Sequence, residues 1–219
     1  MEECGGMYRI GGWKVKIYDI SMEIHENMTV YKNKEEKRPQ HTITVQKGDV
    51  TESRICTDMH TGAHIDAPLH MINGGDTIEN LDLSKVITRC KVFDFTHISD
   101  KITREDLKDK NIEKGDFVIF KTRNSFREDF DFQFVYLEKS GAEFLKEKGV
   151  IGVGIDALGI ERDQPEHETH KILFGSGIVI LEGLRLKDVE EGEYFLFAAP
   201  LKIKGAEAAP TRAVLIKEE

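Results

Sequence analysis

The chain is predicted to fold as one mixed α/β domain over residues 1–219, with strands concentrated in its second half. Three observations carry this. Short runs rich in Val, Ile and Phe recur from residue 14 to residue 217. Two amphipathic segments interrupt them. No internal repeat, low-complexity tract or long linker divides the 219 residues, a length that suits one sizeable core.

The opening stretch MEECGGMYRIGGW (1–13) precedes the pattern and is expected to be a flexible N-terminal extension. KVKIYDIS (14–21) alternates apolar and polar residues as a half-buried strand does. NKEEKRPQH (33–41) is charged, holds a proline, and reads as a surface loop. Further strands are expected in KVFDFT (91–96), DFVIFKT (116–122), VIGVGID (150–156), GIVILEGL (177–184), YFLFAAPL (194–201) and RAVLIK (212–217). Two helices separate them. TREDLKDKN (103–111) opens on Thr103 with Asp106 three residues on, an approximate capping box. YLEKSGAEFLKEKG (136–149) sets Leu137, Phe144, Leu145 and Lys148 at helical spacings and stops at Gly149.

Composition narrows the function. Forty acidic against 31 basic residues give a formal charge of −9, which excludes a general nucleic-acid binder, whose phosphate contacts need clustered Lys and Arg. No apolar stretch approaches the ~20 residues of a membrane span, and no cationic start followed by an apolar run marks a secretory signal. Cys4, Cys56 and Cys90 are odd in number, far apart and without a CxxC pair, which favours free thiols in a reducing compartment. Cys56, four residues before His60, is expected as a buried thiol rather than a ligand. The chain is therefore expected to be cytoplasmic and to act on a small molecule, with no nucleic-acid or membrane partner.

The chemistry concentrates in HTGAHIDAPLH (60–70), which holds three of the eight histidines and an aspartate. His60, His64, Asp66 and His70 share parity, so an extended chain projects them from one face. Imidazole nitrogens and carboxylate oxygens are ordinary ligands of zinc or manganese. A regular strand would set His60 and His64 roughly 13 Å apart, too far to share an ion comfortably. Gly62 between them permits a bulge that draws the flanking side chains together, and Pro68 biases Ala67 against helix. The expectation is a bulged strand end holding three ligands, with His70 just beyond.

Further ligands are available in EHETHKILFGSGIVILEGL (166–184). Here His167 and His170 precede a strand, and Glu182 sits in or at the end of an apolar run, where burial is costly unless the carboxylate is paired or bound to a metal. Spacing alone leaves His167 and His170 as alternatives. HETH is not the HExxH zinc-protease motif, since its second histidine comes one residue early. Asp156, at the end of VIGVGID, is expected to support a ligand or touch substrate. GVGIDA (152–157) matches a dinucleotide fingerprint only in letters, because it lies inside a strand rather than after one.

HTGAHIDAPLH resembles the HxGTHxDxPxH signature of the cyclase family of metal-dependent hydrolases, whose members include bacterial kynurenine formamidases. The likeness extends through IYDIS, GIDALGIE, the spacing from His170 to Glu182, and AAPLKIKGAEAAPTRAVL. It implies a swivelling β/α/β fold, with a mixed barrel-like central sheet and flanking helices, in a homodimer or homotetramer. It implies that His60, His64 and Asp66 hold one divalent ion and that Asp66, His170 and Glu182 hold a second, zinc being the first choice and manganese the next. It assigns His70 to proton transfer and selects His170 over His167. The activity implied is hydrolysis of a C–N amide bond, as in an arylformamidase. Two departures bear on this. Ala63 stands where the family usually has threonine, and the stretch MTVYKNKEEKRPQH carries Tyr31 as its only aromatic where formamidases are aromatic and proline-rich. They keep two alternatives open: a hydrolase of a lactam or other cyclic amide, and a metal-binding protein without turnover.

Overall fold

The structure, a computed structural model, describes residues 6–10, 12–162 and 164–218. Among them run fourteen strands and three α-helices. The chain begins with β1 (Gly6–Ile10), β2 (Trp13–Asp19), β3 (Gln40–Lys47), β4 (Val50–Cys56) and β5 (His64–Asp66). Next come β6 (Ile87–Asp94), β7 (Lys101–Ile102), α1 (Arg104–Leu107), β8 (Phe117–Lys121), β9 (Tyr136–Leu137), α2 (Lys139–Lys148) and β10 (Gly152–Ile155). The chain continues through α3 (Glu168–Gly175), β11 (Val179–Glu182), β12 (Gly192–Phe197), β13 (Ala208–Pro210) and β14 (Val214–Glu218).

Ten of these strands form one mixed sheet in the order β1-β2-β14-β12-β6-β8-β10-β11-β5-β13. Within it the four strands β6, β8, β10 and β11 are parallel, and every other pairing in this sheet is antiparallel. The sheet curls on itself. Just beyond β2, Ser21 bridges to Leu184, the Arg185 N–H donates to the Ile20 carbonyl at 2.9 Å, and Ile20 donates to Ala213. Strand β2 thereby meets the end of β11, although five strands lie between them in the sheet order. This is the barrel-like closure the resemblance implied, and the whole is a mixed α/β fold with few helices.

Both faces of the central strands are covered, which explains their unbroken apolar character. All five residues of β8 are buried. Phe117 and Ile119 face a core enclosed by the curled sheet with Ile65, Leu181, Leu196 and Leu215. Val118 and Phe120 face the opposite way, into a second core packed under α2 and α3 with Phe144, Leu145, Leu173 and Phe174. Each such fully buried side chain contributes about 1.5–3 kcal/mol relative to exposure. Strand alternation thus divides one sequence run between two cores.

Most predicted strands are found within two or three residues of their expected ends. Helix α2 ends as predicted, with Gly149 in the left-handed region (φ 73) closing it. Four expectations are corrected. The helix expected over 103–111 is a single turn, Arg104–Leu107, although its capping box of Thr103 and Asp106 is formed. That segment has one apolar anchor, Leu107, and a short helix without a packed face is marginal. Within the expected N-terminal extension, Gly6–Ile10 pair with β2; Cys4 lies outside the described residues. The loop expected over 33–41 gives way at Gln40 to a hairpin, β3 with β4, turning at Gly48. Cys56 at the end of that hairpin is exposed, whereas Cys90 is buried.

Candidate metal centre

The site lies where β11 ends beside β5, at the carboxyl end of the parallel strands, the place where open α/β sheets commonly bind ligands. Antiparallel pairing sets Glu182 opposite His64 and Ile180 opposite Asp66. His64 and Asp66, two residues apart on β5, point to the same side. The expected bulge takes a sharper form. Strand β5 begins only at His64, the chain before it bends through Gly62 at φ +67, and Pro68 opens a short 3-10 turn that carries His70. The bend brings the rings of His60 and His64 to 5.1 Å between centroids, and the turn brings His70 to 4.2 Å from His60.

Asp66 is the centre of the cluster. Its Oδ1 stands 3.0 Å from Nδ1 of His60 and 3.5 Å from Nε2 of His64; its Oδ2 stands 3.7 Å from Nε2 of His170. Glu182 closes the other side, with Oε2 3.2 Å from Nε2 of His64 and Oε1 3.6 Å from Nε2 of His170. His170 arrives from the first turn of α3, its ring 5.6 Å from that of His70. Two groups of ligand atoms meet at Asp66, His60 with His64 and Asp66, and Asp66 with His70 and His170, and a third, Glu161 with His167 and His170, lies beside them, each gathered within 4.8 Å. His167 does not join the two at Asp66. Its left-handed backbone (φ 52) turns it to Glu161, 2.8 Å away.

Whether these residues fit a divalent ion can be judged from atoms left without hydrogen bonds. Nε2 of His64 and both oxygens of Asp66 are buried and have none. His64 is held for such a role: its Nδ1 lies 2.9 Å from the Gly62 carbonyl, so Nδ1 keeps its proton and Nε2 is the nitrogen turned to the carboxylates, where an ion would take the place of its proton. The electrostatics agree. Burial works against every charge here, yet Glu182 and Asp66 outweigh it for His64 and raise its pKa to about 9. Burial likewise opposes charge on Asp66, but His170 and His60 hold its carboxyl well below the usual range, and Glu182 is held down to about 2 despite burial and the Asp66 charge. Two buried carboxylates side by side demand positive charge, which protons on the histidines supply and a divalent ion would supply with better directed contacts. Nitrogen and carboxylate oxygen are a donor set suited to zinc or manganese. The site fits the ion.

Asp156 stands apart from this cluster. Buried at the end of β10, it accepts hydrogen bonds from Thr122, Asn124 and Ser125. Two neighbours escaped sequence reading. Glu207 places Oε1 3.5 Å from Nε2 of His60, and Glu161 places Oε1 3.0 Å from Nδ1 of His170. Glu161 falls within GIDALGIE, but in a loop where no periodicity marks it.

Comparison with known proteins places the fold and the cluster in a family. Residues 18–162 match the cyclase family model, described as "Putative cyclase". The kynurenine formamidase of Erythrobacter litoralis is 32% identical over 211 residues, covering 94% of this chain and 97% of that protein. A structure described as a predicted metal-dependent hydrolase from Bacillus stearothermophilus is 54% identical with a TM-score of 0.86, covering 92% of this chain and 98% of the other. Another, described as a potential metal-dependent hydrolase with cyclase activity, is 52% identical with a TM-score of 0.89, covering 94% and 99%. The chain belongs to the cyclase family.

Proposed function

We propose that the protein is a metal-dependent hydrolase that cleaves a C–N amide bond, as an arylformamidase converts N-formylkynurenine to kynurenine and formate. The observation that carries this is Asp66: a buried carboxylate with each oxygen turned to a different set of histidines and neither hydrogen-bonded. So placed, Asp66 would serve both sets of histidines. His60, His64 and Asp66 would hold one ion, and Asp66, His170 and Glu182 a second, with zinc preferred to manganese for a histidine-rich set. Similarity to kynurenine formamidases supports the reaction class.

The chemistry such an ion would supply is a bound water with its pKa lowered from ~15.7 towards 7 and a polarised carbonyl. The remaining work falls to the protein. Gly62 fixes the tautomer of His64, and the Ile160 N–H donates to Glu182 Oε1, holding that carboxylate in place. His70 is partly buried against His60 and His170, and burial, outweighing the pull of the Asp66 charge, lowers its pKa. It is therefore neutral at pH 7, able to accept a proton from the attacking water on a ring nitrogen and return it to the departing amine. The C–O bond forms, the C–N bond breaks, and the amine leaves neutral. Such transfer is decisive for an amide, whose unprotonated amine anion is a very poor leaving group.

The working form is proposed to be a homodimer or homotetramer, supported by the β3–β4 hairpin, which stands exposed along both strands with Ile43, Val45, Val50 and Ile55 in solvent. Among the described residues no helix is long and apolar enough to cross a membrane. The test is amine release from N-formylkynurenine by zinc- or manganese-loaded protein, with Asp66→Ala as control. Turnover lost in the variant supports the formamidase; absence of turnover in loaded protein overturns this substrate and moves the search to lactams and cyclic amides.

A further inference from the structure

Glu161 is a buried carboxylate, 5% exposed, to which the mechanism above gives no task. It lies in the loop between β10 and α3, and its two oxygens serve different groups. Oε2 accepts the Thr169 N–H at 2.9 Å and the Gln164 side-chain amide at 3.0 Å. Gln164 also donates to the Thr169 hydroxyl, which donates to the Leu137 carbonyl. Oε1 lies between two imidazoles, 2.8 Å from Nδ1 of His167 and 3.0 Å from Nδ1 of His170. The two rings differ sharply in setting. His167 is 59% exposed, whereas His170 is 6% exposed with its Nε2 toward Asp66 and Glu182.

Two further observations point the same way. Nδ1 of His170 is buried and lacks an aligned hydrogen bond, and Glu161 Oε1 is the acceptor beside it. Glu166 and His167, consecutive and neither of them glycine, both take left-handed backbone, φ 60 and φ 52. Such strain persists only where the surroundings impose it, and here it delivers the His167 ring to Glu161.

We propose that Glu161 is a positioning residue of the metal centre, accepting the Nδ1 proton of His170 so that Nε2 is presented bare to the ion, with His167 bracing the carboxylate from the solvent side. This rests on the reading of His170 as an ion ligand. A histidine ligand whose second nitrogen donates to a carboxylate is fixed in tautomer and orientation and becomes more basic, and loss of that partner typically weakens metal binding ~10–100-fold. Glutamine at 161 is isosteric but cannot replace the carboxylate. One end of the amide becomes a donor, facing either the two imidazoles or Thr169 and Gln164.

The experiment is zinc titration against a chromogenic chelator for wild type, Glu161→Gln and His167→Ala, with nitrogen-15 NMR of the histidine side chains in the zinc-loaded proteins. Expected are zinc affinity weakened ~10–100-fold in Glu161→Gln, a smaller loss in His167→Ala, and a His170 Nδ1–H signal that is sharp in the wild type and shifted in both variants. A merely structural role for Glu161 would not move that signal. Zinc uptake by the wild type, with affinity and Nδ1–H signal unchanged in Glu161→Gln, overturns this inference alone. No uptake by the wild type overturns the metal reading and this inference with it. If Glu161→Gln fails to fold, His167→Ala decides: weaker zinc binding with a shifted His170 signal supports the proposal, and no change in either overturns it.

Discussion

A β-carbon on Gly183 would lie 2.1 Å from the carbonyl oxygen of Gly62, the same oxygen that sits 2.9 Å from Nδ1 of His64. The residue after Glu182 is thus packed against the bend that aims His64, and the two ligand-bearing segments touch through bare backbone. Gly183 is also left-handed, at φ +71. Gly183→Ala should therefore displace the bend at 62 and cost about 2–5 kcal/mol from overpacking and backbone strain together. Zinc affinity should fall with it. Gly48→Ala is the control, since its φ of +58 carries similar strain but a β-carbon there meets nothing within 4 Å. Thermal melts and zinc titrations of both variants check this; equal losses in the two would show that close approach at Gly183 is unimportant.

The division of Asp66 between two histidine sets predicts an asymmetry in metal content. Asp66→Ala should lose all bound zinc and all turnover, because each set loses its shared oxygen. His60→Ala should retain an ion on Asp66, His170 and Glu182, and His170→Ala an ion on His60, His64 and Asp66. Metal analysis after dialysis measures this directly. Full zinc content in Asp66→Ala would refute the bridging role.

His70 has a ring nitrogen within the ligand group of Asp66 and His170, so its assigned role must be separated from ligation. As a proton carrier it should be dispensable for the ion: His70→Ala should bind zinc as tightly as the wild type while kcat falls about 10²–10⁴-fold. Loss of zinc in step with activity would instead make His70 a ligand.

The parity of His60, His64 and Asp66 was legible because strand geometry converts even spacing into a common face, and Gly62 was legible because only a left-handed residue lets that face contract. The two-faced strand β8 was likewise written in its apolar run. What lay beyond reading was set by contacts between distant segments. Helix α3 was not legible because its apolar residues Ile172, Leu173 and Phe174 are consecutive and show no helical spacing. His167 and His170, one helical turn apart, are distinguished only because the chain kinks left-handed at 166 and 167. Glu161 has its meaning from the loop that folds over it, a contact no periodicity announces. The β3–β4 hairpin packs on no core, so burial left no imprint on its pattern.

Asp156 offers a test of buried charge away from the ion. Five donors converge on its oxygens: the N–H and hydroxyl of Thr122, the N–H and hydroxyl of Ser125, and the Asn124 amide. Ser125 Oγ in turn accepts the Leu186 N–H, tying the turn after β8 to the chain beyond β11. In Asp156→Asn one oxygen becomes a donor, stranding the donors that faced it at about 1–3 kcal/mol each. The loss should vary with pH. Burial pushes the Asp156 carboxyl above its ordinary value of 3.8, against the hydrogen bonds from Ser125 and Thr122. Between those two values the folded protein holds a proton that the unfolded chain has released. The stability this residue contributes is thus fully present below 3.8 and declines as pH rises through the folded value. Denaturant unfolding of wild type and Asp156→Asn from about pH 3.5 to 8 should show the wild-type advantage shrinking as pH rises. A gap that instead widened with pH would mean that the five donors overcome burial and that the folded carboxylate is the favoured form.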